Sequence, residues 1–445
     1  MLFQQATLAD GRVRDVRVAD GEIAEVADGG ALDPENGGSV VDAGRFHLLP
    51  GAIDVHVHFR EPGFSHKEDW TTGSRSAAAG GVTTVVDQPN TDPPTTSGAS
   101  FDRKADLAAD SLVDYGLNGG VTADWDPDSL FDRPLFALGE VFLADSTGDM
   151  GIEADLFADA VARAAAHDVT VTVHAEDADL FDESVKARDD PDAWSAFRTP
   201  EAEAAAVERA LDVGADSEAD VHIAHTSTPE GVDAASDAGA TCEVTPHHLF
   251  LSRDDLPELG TFGRMNPPLR DESCREALVE RVRDGTVDVV ATDHAPHTRA
   301  EKDASVWDAP SGVPGVETML PLLLNEVREG RLGLERVRDL TAANPAQIFD
   351  LPRKGRIEGG RDADLVLVDL DDARRIRGED LHSNCGWTPF EGFTGVFPSL
   401  TLVRGTVVYD GRDARGGGGE VDGRDEVDER GEEAFGDAVG RNVRR

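Results

Sequence analysis

Lysine is scarce in this 445-residue chain: of 42 basic side chains only Lys67, Lys104, Lys186, Lys302 and Lys354 are lysine. Basic charge is short altogether, with 88 acidic residues and a formal net charge of −46. Such a surface repels phosphate, which excludes nucleic acid and anionic membrane as partners. Long apolar runs are missing too, none approaching the roughly 20 residues of a membrane span. The first residues, MLFQQATLADGRVRD, lack a basic region followed by an apolar stretch, so a cytoplasmic protein is expected. Cysteine is limited to Cys242, Cys274 and Cys385. An odd, scattered set fits free thiols in a reducing compartment.

What is abundant is acid, spread through the whole chain. Acid excess with little lysine fits a salt-rich cytoplasm, where a Debye length of roughly 3 Å at 1 M salt screens self-repulsion. The 39% of apolar residues can bury a core in one large or two modest domains.

Residues 1–49 alternate in short segments broken by turns, such as Val13 to Val18, then Asp20-Gly21, then Glu22 to Val26. That is hairpin grammar. The texture returns at Ala363 to Val368 and Leu400 to Val408, so residues 1–49 and 351–410 are expected to form one small β-sandwich domain. Residues 411–445 are rich in Gly, Asp, Glu and Arg, which predicts a disordered tail. Between them, residues 50–350 repeat a strand-then-helix rhythm. Eight candidate strands begin near Ile53, Val82, Val113, Leu135, Val169, Val221, Thr241 and Val287, with Ala-rich helical stretches between several. Eight such units predict a (β/α)8 TIM-type barrel, with its active site at the strand C-terminal ends. A doubly wound open sheet is the alternative, but no Gly-rich dinucleotide fingerprint supports it.

Alternation on the first barrel strand puts His56 and His58 on one face. Imidazoles make a poor apolar core but good metal ligands. Glu140 sits near the end of the fourth candidate strand, His174 ends the fifth, His225 ends the sixth, and Asp293 follows the eighth. All lie at the expected catalytic rim.

Ordered motifs then narrow the reading. Asp54-Val55-His56-Val57-His58-Phe59-Arg60-Glu61-Pro62-Gly63 is followed by Gly80 to Thr91, His174-Ala175-Glu176-Asp177, Pro246-His247-His248-Leu249, Asn266-Pro267-Pro268-Leu269-Arg270 and Ala291 to His297. Together these resemble the amidohydrolase superfamily and, among its cyclic amidases, the dihydroorotases, over roughly residues 45 to 410. The resemblance implies reversible conversion of L-dihydroorotate to N-carbamoyl-L-aspartate in pyrimidine biosynthesis. It implies two Zn2+ ions per subunit: His56, His58 and Asp293 on one, His174 and His225 on the other. Many relatives bridge the pair with a carbamylated lysine, but no lysine lies between Lys104 and Lys186 here. Glu140 stands in the expected place and offers a carboxylate oxygen to each ion.

Asp293 is the expected proton carrier, while Arg60, Asn90 and His297 are expected to hold the substrate's ring carboxylate. Asn266 and the Pro314-Gly315 backbone are expected to line the pocket, and Ser146-Thr147-Gly148 to form a mobile loop at its rim. His222, His294 and the pair His247-His248 read as packing or supporting residues, and His66 and Lys67 receive no role. A homodimer follows from the resemblance alone. The competing readings are an allantoinase or hydantoinase, whose substrates lack the carboxylate that Arg60 would meet, and a catalytically silent scaffold.

Overall fold

The computed structural model describes residues 1–35, 37–144, 150–412 and 434–444. The chain opens with β1 (Leu2–Thr7), β2 (Val13–Ala19), β3 (Glu22–Asp28), β4 (Val40–Asp42) and β5 (His47–Pro50). Asp20 and Gly21 both take positive φ between paired Ala19 and Glu22, the two-residue turn whose twist matches the hairpin.

Eight parallel strands follow: β6 (Ala52–Val57), β7 (Val82–Asp87), β8 (Asp114–Leu117), β9 (Leu138–Phe142), β10 (Val171–His174), β11 (Val221–Ile223), β12 (Thr241–Val244) and β13 (Val289–Val290). β6 to β8 pair in order, as do β9 to β13. Parallel bridges Val57–His294 and Gly119–Leu138 join the two sets into a barrel. Every residue of β6 and β7 is buried, because side chains inside and helices outside cover both faces.

The covering helices are built by ordinary means. Helix Pro200–Ser217 starts with Thr199 accepting from the Ala202 amide and proline in its first turn. Helix Ala154–Ala166 buries Phe157, Ala160, Val161 and Ala164, one stripe at helical spacing. Phe157→Ala would empty that stripe at a cost of about 3–5 kcal/mol.

The chain closes with β14 (Leu365–Val368), β15 (Ala373–Arg375), β16 (Thr394–Val396), β17 (Leu400–Val403) and β18 (Thr406–Asp410). Both ends share one eight-stranded sheet, ordered β18-β17-β14-β5-β1-β2-β3 with β4 beside β1. Phe3, Val16, Ile23, Leu48, Leu365 and Leu400 are among its buried core. All three cysteines are free. Among the described residues no helix is long and apolar enough to cross a membrane.

Residues 434–444 correct the expectation of a disordered tail for 411–445. Gly440 N–H donates to Ser111 O (2.9 Å), Tyr115 N–H to Arg441 O (3.0 Å), and Val443 N–H to Tyr115 O (2.9 Å). Phe435 and Val439 pack on the main core. Composition averaged over the whole stretch hides this apolar ending.

Four of the five lysines have specific partners in the fold. Lys104 Nζ donates to Asp87 Oδ2 and Gln88 O, both 2.6 Å. Lys302 donates to the carbonyls of Arg264, Pro310 and Gly312. Lys354 pairs with Asp114 and Asp364, and Lys67 with Glu301. Lys186 pairs with Glu183 on the surface and has a half-exposed side chain.

Candidate metal centre and active site

Buried polar groups set the strands before any ligand is considered. Asp54 on β6 accepts from the backbone of His56 (3.2 Å) and Thr292 (3.0 Å), tying the first strand to the turn that carries Asp293. Burial pushes its carboxyl up to about 6, against the Thr292 hydrogen bonds. Gln88 after β7 accepts at Oε1 from Glu140 N–H (2.8 Å) and Asn118 Nδ2 (2.9 Å), which holds the β9 backbone.

Arg60, His225 and Asp293 all take positive φ, at 63°, 34° and 45°. Such backbone costs on the order of 1–3 kcal/mol per residue and persists where surrounding bonds over-determine it. β6 ends at Val57, so strand alternation does not extend to Arg60. The left-handed turn brings it to the cavity that His58 also lines.

Glu140 is the hub. Its Oε1 lies 2.7 Å from His174 Nδ1 and 2.6 Å from His225 Nε2. Its Oε2 lies 3.3 Å from His56 Nε2 and 3.9 Å from His58 Nε2. Asp293 Oδ1 is 2.9 Å from His58 Nε2 and 3.7 Å from His56 Nε2. Burial alone would raise the Asp293 pKa, but the His58 hydrogen bond and the nearby His56 hold it low. Among the described residues two sets of donor atoms could hold a metal: His56, Glu140 and His225, and His56, His58 and Asp293. His56 Nε2 and His225 Nδ1 are buried ring nitrogens without a hydrogen-bond partner among the described residues. Imidazole nitrogens beside carboxylate oxygens fit a divalent cation such as zinc.

Each inward nitrogen is chosen by what grips the other. His56 Nδ1 meets Glu243 Oε1 at 2.6 Å, and Glu243 Oε2 also meets His222 Nε2 at 3.2 Å. His58 Nδ1 meets Asn90 Oδ1 at 2.7 Å. His174 Nε2 meets Glu176 Oε2 at 2.8 Å, and Arg198 Nε reaches both Glu176 oxygens at 3.0 and 3.1 Å. Burial would raise the Glu176 pKa, but Arg198 and His174 hold it far below the usual carboxylate range. Such outer partners fix the tautomer and orientation of a ligand.

A cavity of about 20 Å³ is lined by His58, Arg60, Asn90, Glu140, Asn266 and Asp293, among others. Burial pulls Arg60 down to about 10, which leaves it cationic at neutral pH. Arg60 Nε donates to Pro296 O (3.2 Å), and His297 Nε2 lies 3.2 Å from Arg60 Nη2. Asn266 Oδ1 accepts from Trp194 Nε1 at 3.0 Å. A larger groove, about 1030 Å³, includes Leu249, Glu276, Val282 and Leu323 and holds none of the candidate residues.

The structure thus brings His56, His58, Glu140, His174, His225 and Asp293 together, with Arg60, Asn90 and Asn266 on the cavity wall and His297 behind Arg60. His222 contacts Thr241 and Glu243, and His248 contacts Thr245 and Pro267. His294 Nδ1 accepts from Gly315 N–H at 3.0 Å. Burial presses His247 down to about 4, so it is neutral. Ser146-Thr147-Gly148 lies outside the described residues. Glu243, Glu176, Arg198 and Trp194 were not anticipated as site residues. A carboxylate in an otherwise buried parallel strand was the available signal for Glu243. For Glu176 it was the two-residue step from His174.

The amidohydrolase family model matches residues 47–408. The chain belongs to the amidohydrolase family. Within it, the chain is 71% identical over 412 residues to a dihydroorotase of Halobacterium salinarum, covering 92% of this chain and 96% of the relative. A dihydroorotase of Methanosarcina acetivorans is 44% identical, over 92% of this chain and 91% of the relative. In three dimensions the chain is similar to the L-hydantoinase of Arthrobacter aurescens, with a TM-score of 0.87 and 29% identity. That match covers 92% of this chain and 96% of the hydantoinase. These likenesses support the (β/α)8 barrel with an added β domain, and a hydrolase of the dihydroorotase group. The acid-rich composition fits the Halobacterium relative.

Proposed function

We propose that the chain is a zinc-dependent dihydroorotase, interconverting L-dihydroorotate and N-carbamoyl-L-aspartate in pyrimidine biosynthesis. The observation that carries this reading is Arg60, a buried cation on the wall of the cavity shared by His58, Glu140 and Asp293. A ring amide needs only the carboxylate and imidazole cluster, but a ring bearing a carboxylate also needs a fixed guanidinium. In this reading Arg60 and Asn90 hold that carboxylate with His297 backing the Arg60 guanidinium, and Asn266, oriented by Trp194, faces the rest of the ring.

His56, His58 and Asp293 would hold one zinc and His174 and His225 a second, with Glu140 giving an oxygen to each. The two-sided placement of histidines around Glu140 supports this assignment. Zinc supplies Lewis acidity there, lowering the pKa of water and polarising the amide carbonyl. Asp293 takes the proton of the attacking water at its carboxylate. It passes that proton to the ring nitrogen as the new C–O bond forms and the C–N bond breaks. In the cyclising direction Asp293 carries the carbamoyl proton the other way.

A hydantoinase is the second reading, favoured by the three-dimensional likeness to L-hydantoinase. The test is turnover of L-dihydroorotate and hydantoin in molar KCl, before chelation, after it, and after zinc return. Arg60→Met should lower kcat/KM for L-dihydroorotate by about a hundredfold or more, through loss of a buried polar contact. Any hydantoin activity should survive. Equal loss on both rings would sink the carboxylate assignment.

A further inference from the structure

His297 meets Lys67 on one ring nitrogen and both Ser311 O and Arg60 on the other, so its tautomer decides which of them it satisfies. Lys67 Nζ lies 3.1 Å from His297 Nδ1. An ammonium has only donors, so Nδ1 must present its lone pair and the ring proton must be on Nε2. On the other side Nε2 lies 2.9 Å from Ser311 O, a carbonyl that can only accept. Both contacts demand the same tautomer.

Lys67 is itself held in place. Glu301 Oε1 lies 3.1 Å from its Nζ and 3.3 Å from His66 Nε2, and the Phe64 ring lies 5.3 Å away. Glu301 also closes the capping box of the short helix Arg299–Lys302, accepting from Thr298 N–H at 2.9 Å and Oγ1 at 2.8 Å. Burial, then the charges of Arg60, Lys67 and Lys302, hold the His297 imidazole neutral.

With its proton on Nε2 and given to Ser311 O, His297 offers no acceptor to Arg60, whose Nη2 is 3.2 Å away. In the other tautomer Nε2 would accept from that Nη2 and use up a donor that a substrate carboxylate needs. We propose that Lys67 is a positioning residue that fixes the Nε2–H tautomer of His297, so that His297 cannot accept from Arg60 and the guanidinium keeps that donor for the substrate carboxylate. This inference rests on the reading of the substrate given above.

The experiment pairs a spectrum with kinetics. Long-range 1H–15N spectra of histidine-labelled protein in molar KCl, assigned with His297→Asn, should show His297 as the Nε2–H tautomer. Lys67→Met should remove that signature and raise KM for L-dihydroorotate about tenfold, with kcat lowered no more than about twofold. Lys67→Arg, which keeps a donor, should hold KM within about threefold of wild type. An Nδ1–H tautomer in the wild-type protein overturns the proposal. So does a Lys67→Met protein whose tautomer or KM is unchanged. If the wild-type protein fails to open L-dihydroorotate, the substrate reading falls and the carboxylate role of Arg60 with it. The spectrum then still decides whether Lys67 sets the tautomer.

Discussion

Replacing Glu176 by Gln changes one oxygen for an amide group and leaves the shape of the side chain intact. Glu176 Oε2 faces His174 Nε2 at 2.8 Å, while Arg198 Nε faces both oxygens. The amide has one acceptor for these donors. If its oxygen faces His174, its NH2 abuts the buried Arg198. If its NH2 faces His174, the ring must accept at Nε2 and carry its proton on Nδ1, the nitrogen that points at Glu140. That proton blocks the lone pair a metal would use. Loss of such an outer partner typically lowers metal affinity about 10–100-fold, or about 1.4–2.7 kcal/mol. Glu176→Ala goes further and strips the buried guanidinium of its counter-charge, which should destabilise the fold by about 3–5 kcal/mol. Zinc affinity by competition with a chromophoric chelator, alongside thermal unfolding in molar KCl, reads both effects. Zinc affinity for Glu176→Gln within about twofold of wild type would refute the claim that Glu176 orients His174.

Two further outcomes bear on the fold. Ending the chain after residue 433 strips the buried Tyr115 N–H and C=O of their partners, at about 1–3 kcal/mol each. Urea unfolding of that truncation should show a loss of at least about 2 kcal/mol, and no loss would mean the terminal segment does not brace β8. Burial would lower the His382 pKa, but Glu317, bonded to its Nδ1 at 2.8 Å, outweighs this and raises it. The pair therefore stabilises the fold fully below the unfolded value of about 6.5, and the contribution fades as pH rises through the higher folded value. The melting-temperature gap between wild type and His382→Gln should be widest in mild acid and shrink in alkali. A gap independent of pH would exclude the pairing.

How far the site was legible depended on whether a residue's role follows from its own strand. His56 and His174 could be read from their strands, whereas His58 lies just past the end of β6 and His225 past the end of β11 at a positive φ. Eight strands in sequence order were enough for the barrel, because parallel strands buried on both faces leave short apolar runs between helical stretches. Arg60 came from the resemblance and not from periodicity. Its side chain arrives through a left-handed turn, and no periodicity encodes a positive φ in arginine. Glu243, Arg198 and Lys67 act through partners 187, 22 and 230 positions away. Such pairings exist only once the barrel closes. The ordered end at 434–444 was missed because its few apolar residues follow a long polar stretch, so its packing depends on a β8 edge that local composition does not describe.

The lysine distribution has a practical consequence. Lys104, Lys302 and Lys354 are buried, and Lys67 is largely enclosed. An amine-reactive dye will therefore reach Lys186 first among the lysines, while the terminal amine of Met1 is already engaged with Val18 O. Lys186 Nζ lies 5.0 Å from the Phe197 ring, on the segment that also carries Trp194 and Arg198 toward the site. A fluorophore on Lys186 would sit beside the segment that orients Asn266 through Trp194 and Glu176 through Arg198.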